Sequence, residues 1–176
     1  MAQKKFNSLN WYKRTVKNKK INRKNSKSLL GFLLIWSALE NLYFENDNHR
    51  TPMADRLFEL GKRANEITQQ SEYLSFIHHF QERYFGANQD GERLFYNLFL
   101  GTQYEELVRN VVRDCKPTEN IIPALLLIAN RYRNNFIHGR KEPIKVHEYE
   151  KQFNILNQFL SKFIERTEDL RRIQHG

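Results

Sequence analysis

Cysteine is nearly absent from this chain: Cys115 stands alone among 176 residues, which excludes an internal disulfide framework and a multi-thiolate zinc site. Four Pro and seven Gly are few beside thirteen Phe and eight Tyr, so long regular elements with few tight turns are expected. No apolar run has membrane length. The longest, Leu29 to Leu39, is about half of the roughly 20 residues a span requires. Residues 1–10 lack an apolar stretch followed by a small-residue cleavage site, so no secretory leader is expected. A Gly-rich phosphate loop and a metal-binding helix motif are also missing. His78 and His79 are adjacent and fall on different helix faces, and His147-Glu148 has no wider pattern around it. These absences lead to the expectation of a soluble, cytoplasmic protein without membrane contact, cofactor or metal.

What remains suffices for one compact domain, since 40% apolar residues, with a 13% aromatic share, can fill a core for a chain of this length. Acidic residues are missing from one region. The first 27 residues contain ten Lys or Arg and no Asp or Glu, whereas the other 149 hold 19 basic and 20 acidic side chains. The whole of the +9 net charge is therefore assigned to a basic N-terminal arm, residues 1–27, ahead of a helical domain over 28–176. Within the arm, Lys17, Lys19, Lys20, Arg23 and Lys24 are the candidate RNA-binding residues, because clustered cations attract phosphates in a salt-dependent, sequence-tolerant way. A solvated tail that aids solubility is the competing reading.

Periodicity predicts helices and no strand, an all-α bundle. The expected helices run from Ser28 to Phe44, with Leu30, Leu33, Leu34, Ser37, Ala38 and Asn41 at helical spacing; from Thr51-Pro52, as cap and first-turn proline, to about Glu66; and from Ser71 to Phe85. After a loop at 86–91 come two shorter helices, near Arg93 to Leu100 and Gln103 to Asp114. An apolar helix follows, capped by Thr118 or Asn120, with Pro123 tolerated in its first turn. A last helix after Pro143 has Tyr149, Phe153, Leu156, Leu160, Phe163 and Leu170 near a three–four spacing.

The apolar helix ends in Arg131-Tyr132-Arg133-Asn134-Asn135-Phe136-Ile137-His138-Gly139. Arg133 offers a permanent cation with forked donors for phosphate, and His138 an imidazole that moves protons near neutral pH. Together with Asn134 they are the candidate catalytic residues. The run R-N-x-x-x-H followed by Gly resembles the signature of the HEPN families, the higher eukaryote and prokaryote nucleotide-binding helical domains. That resemblance implies a HEPN-type bundle acting as a metal-independent ribonuclease. It also implies a homodimer in which two motifs share one composite cleft, and a toxin or phage-defence role with an antitoxin or a defence-complex partner. The sequence offers the apolar face of the last helix for pairing.

The residue types suit that chemistry. RNA carries its own nucleophile, so a base need only take the 2′-hydroxyl proton while a cation stabilises the phosphorane and an acid protonates the departing 5′-oxygen. On a helix, Asn134 and His138 fall within about 40° of each other, whereas Arg133 and His138 differ by about 140°. Asn134 is thus the residue expected to orient His138. Other readings stay open: Arg133 and His138 as simple helix C-terminal cations, and Glu40 and Asn41 as either site-facing or merely exposed. The function itself has three candidates: a ribonuclease, a non-catalytic RNA- or nucleotide-binding module, and a helical scaffold.

Overall fold

The computed structural model describes residues 22–44, 51–87, 91–98, 100–137 and 149–170. All of its regular elements are helical: α1 (Arg23–Phe44), α2 (Met53–Asn65), a 3₁₀ turn (Gln70–Tyr73), α3 (Leu74–Phe85), α4 (Gly91–Tyr96), α5 (Thr102–Asp114), α6 (Ile121–Ile137) and α7 (Glu150–Arg166). No described helix is long and apolar enough to cross a membrane.

α6 is the axis of the bundle. Every residue from Ile121 to Asn130 is buried, matching the continuous apolar run. Asn120 opens the helix by accepting the Ala124 amide at 2.9 Å, and the Thr118 hydroxyl accepts the Asn120 amide at 3.4 Å. Pro123 falls where no i−4 carbonyl awaits a donor, so the helix tolerates it. α2 lies along α6, α7 lies along α1, and α3 touches α4, α5, α6 and α7. The α2–α6 approach is close because position 61 is glycine: a Cβ there would sit 2.7 Å from the Pro123 Cα and backbone nitrogen.

Two expectations are corrected. Thr51 does not cap α2, which starts one residue later than read; Pro52 stands at the cap with no side-chain hydrogen bond, and its carbonyl accepts the Asp55 and Arg56 amides. The second correction concerns α1. The helix starts at Arg23, five residues early, with the Asn22 side chain accepting the Lys24 amide at 2.8 Å, the bond an N-cap makes. The last basic residues of the arm are therefore helical.

The buried face of α1 is Phe32, Trp36, Leu39 and Tyr43, whereas Leu30, Leu34, Ser37, Ala38 and Asn41 are exposed. α1 is apolar around most of its circumference, so spacing alone fits either face. The face carrying aromatic rings goes inward because it removes more apolar area from water. α7 behaves as expected, burying Phe153, Leu156, Phe159, Leu160 and Phe163. Phe153 packs against Phe32, Tyr132 and Phe136, so the face proposed for pairing with another chain is consumed within this one.

Candidate functional site

Below Ala129 the buried stripe of α6 gives way to polar residues, and their order sends them in three directions. Asn130, 3% exposed, accepts a hydrogen bond at 3.3 Å from the Asn134 amide one turn later. The Asn134 carbonyl oxygen accepts Nη1 of Arg133 at 2.9 Å. The other terminal nitrogen, Nη2, lies 3.5 Å from Oε1 of Glu40 on α1. Two side chains from two helices, Asn134 and Glu40, thus hold one guanidinium, and Asn130 braces Asn134 behind it. Arg133 and Glu40 keep 29% and 32% of their side-chain surface in solvent, enough for an anion to reach the arginine.

Arg131 and Asn135 point elsewhere. Nε of Arg131 donates to the Leu98 carbonyl at 2.7 Å, and the Asn135 amide donates to the Asn97 and Leu98 carbonyls at 3.5 and 3.4 Å. These two residues, one turn apart, satisfy carbonyls at the end of α4, where a helix leaves acceptors unpaired. Asn135 is 1% exposed and structural, although in sequence it is the twin of Asn134. Tyr132 takes the third direction, into the core. Its hydroxyl lies 3.0 Å from that of Tyr84, and burial raises both phenols, that of Tyr84 well above its ordinary range. Arg83 stands over the rings of Tyr84 and Tyr149 at 5.8 and 5.9 Å. Burial opposes its charge, but the hydroxyls of Tyr132 and Tyr84 outweigh that cost and its pKa is raised.

Of the sequence-predicted catalytic residues, Arg133 and Asn134 are in direct contact; His138 lies outside the described residues. Asn134 is occupied by Arg133 and Asn130, so the amide holds the arginine. Glu40 belongs to this cluster, while Asn41 is exposed. The candidate RNA-binding residues divide as well: Lys17, Lys19 and Lys20 lie outside the described residues, and Arg23 and Lys24 are exposed at the start of α1. Nζ of Lys24 is 3.1 Å from Glu150. Sixteen residues of helix separate Lys24 from Glu40, about 24 Å of rise, so this pair of cations is not part of the Arg133 cluster.

No grouping of three or more His, Cys, Asp or Glu side chains placed to hold a metal occurs among the described residues. Compared with known proteins, the chain matches no family model, no curated protein and no solved structure.

Proposed function

We propose that the chain is a HEPN-type endoribonuclease that cuts RNA by 2′-hydroxyl attack. The observation that carries this reading is the Arg133 cluster: a partly exposed guanidinium, oriented by Asn134 and Glu40, five residues before His138 on the same motif. In the proposed reaction a histidine takes the proton from O2′, O2′ bonds to phosphorus, and Arg133 stabilises the added charge on the phosphorane. The P–O5′ bond then breaks as O5′ receives a proton, leaving a 2′,3′-cyclic phosphate and a 5′-hydroxyl. No redox change occurs, and the proton count balances. One His138 per chain cannot serve at once as base and acid, so a homodimer with two motifs in one cleft suits the reaction better than a monomer. The cellular role proposed with it is that of a cytoplasmic toxin or phage-defence effector restrained by an antitoxin or defence-complex partner.

The deciding experiment incubates the full chain with labelled RNA and with matched DNA in excess chelator, followed by analysis of the product ends. RNA cut to cyclic-phosphate and 5′-hydroxyl ends, with DNA intact, is the expected result. His138→Ala and Arg133→Ala should each lower the rate by roughly 10²–10⁴-fold while helicity by circular dichroism is retained. RNA that is bound but uncut would favour the binding-module reading, and cleavage that requires added magnesium would reject the mechanism.

A further inference from the structure

α6 is apolar and buried from Ile121 to Ala129, and the next residue, Asn130, is an amide only 3% exposed. A buried amide costs free energy that an apolar side chain would not, so packing alone gives no reason for asparagine at this position. Its hydrogen bond supplies one. The Asn130 carbonyl oxygen accepts Nδ2 of Asn134 at 3.3 Å, one turn on along the same helix, so this bond does not tie α6 to another element. Asn135 is the contrast. It is also buried, but its amide ties α6 to the Asn97 and Leu98 carbonyls.

What the Asn130 bond fixes is the direction of the Asn134 amide. A guanidinium has donors only, so Asn134 must turn its oxygen toward Arg133, and it does so at 2.9 Å from Nη1. The Asn134 amino group then faces the other way and needs an acceptor, which Asn130 provides. Flipping Asn134 would set donor against donor at Arg133 and oxygen against oxygen at Asn130. Without Asn130 only the first of these contacts resists a flip, and Asn134, which is partly exposed, can turn to water instead. Asn134 and Glu40 then hold the two terminal nitrogens of Arg133, which leaves the remaining donors for a phosphate.

We infer that Asn130, three residues before the R-N-x-x-x-H run, is a positioning residue for Arg133 that acts through Asn134. The inference rests on the proposed ribonuclease reading only for the use made of the arginine; the positioning is a property of the folded chain. A loosely held guanidinium still attracts a phosphate. It must be ordered again as charge builds on the phosphorane, so loss of Asn130 lowers the chemical step more than it lowers RNA affinity.

Asn130→Ala and Asn130→Leu test this together. Neither side chain carries an acceptor, but one empties the space and the other fills it. Both variants should keep their helicity by circular dichroism and free the guanidinium, read by NMR as faster rotation of the Arg133 side-chain nitrogens, assigned with Arg133→Lys. Single-turnover cleavage at saturating protein should fall roughly tenfold in each, the scale of one hydrogen bond to a charged group, with RNA affinity changed less. Combining either variant with Asn134→Ala should add nothing to the loss from Asn134→Ala alone. A merely structural role predicts otherwise: unfolding of both variants, effects that follow side-chain size, or losses that add to those of Asn134→Ala would each overturn the positioning. So would an Arg133 signal unchanged in the folded variants. The two readings fail separately. If wild type leaves RNA intact, the NMR comparison still decides the positioning and only the enzyme falls. RNA cut by wild type, with Arg133 equally ordered in the folded variants, keeps the enzyme and removes the role of Asn130.

Discussion

Arg133 on α6 and Glu40 on α1 are 93 positions apart in the chain and 3.5 Å apart in space. In the proposed reaction the pair has two opposing effects on a phosphate. Glu40 holds Nη2 and so orients the guanidinium, but its carboxylate repels an incoming phosphate and competes for the same donors.

Glu40→Gln separates these effects, because the amide keeps the shape and an acceptor while the charge goes. RNA affinity should rise several-fold at low salt, and the cleavage rate at saturating protein should fall because the guanidinium is less firmly held. Filter binding with the His138→Ala background, alongside single-turnover cleavage in the wild-type background, reads both. Weaker binding by Glu40→Gln would mean that Glu40 does not compete with RNA for Arg133.

How much of this was legible beforehand follows from the composition of individual helices. α6 was plain because an uninterrupted apolar run of its length has one fate, and the motif at its end could be read with it. α1 was located but its rotation was not, since leucines lie on every side and only ring burial decides between them. That ambiguity also hid Glu40: whether it meets Arg133 depends on the same rotation. Asn135 was unreadable for a different reason. Its partners are the carbonyls of Asn97 and Leu98, and no local pattern announces where a six-residue helix will end against another element.

Gly61 should tolerate no side chain. The nearest atoms to a Cβ there belong to Pro123 and include its backbone, which cannot move aside like the end of a flexible side chain. Gly61→Ala gains helix propensity of about 1 kcal/mol but forces α2 away from α6, an overpacking cost of roughly 1–3 kcal/mol. The net result expected in urea denaturation is a lower midpoint with little change in slope. A variant as stable as wild type would mean that the two helices can separate without loss.

Stability should also fall on mild acidification through His79. The residue is 8% exposed, and its Nε2 has no hydrogen-bond partner in the described structure. Burial lowers its pKa from the ordinary 6.5, and Lys151 and Arg83 lower it further against the weaker pull of Glu82. The unfolded chain therefore takes up a proton before the folded chain does. Stability is complete above about pH 6.5 and is lost as the pH falls below it, toward the folded-state value. Glu72, held below 4.5 chiefly by Lys162, stays ionised through that window and does not imitate the effect. Melting temperatures of wild type and His79→Leu between pH 7 and 5 give the comparison; parallel curves would assign the acid sensitivity to other groups.

The basic arm should contribute affinity and leave the chemical step alone. Lys17, Lys19 and Lys20 are changed together to Gln, which keeps stem length and helix propensity. Lys24 is changed separately because it pairs with Glu150. That pair is largely exposed on the lysine side, so Lys24→Gln should alter stability by no more than about 1 kcal/mol. If the three lysines each touch a phosphate, the slope of log K against log salt on single-stranded RNA should become shallower by about 2, at roughly 0.7 per contact. Binding should weaken most at low salt, and single-turnover cleavage at saturating protein should stay near the wild-type rate. For Lys24, the roughly 24 Å of α1 to Glu40 exceeds a Debye length of about 8 Å, so its charge reaches the Arg133 cluster only weakly. An unchanged slope and affinity would leave the arm as a solubility tail. A collapse of the saturated rate in a folded triple variant would bring these lysines into the cleft with Arg133.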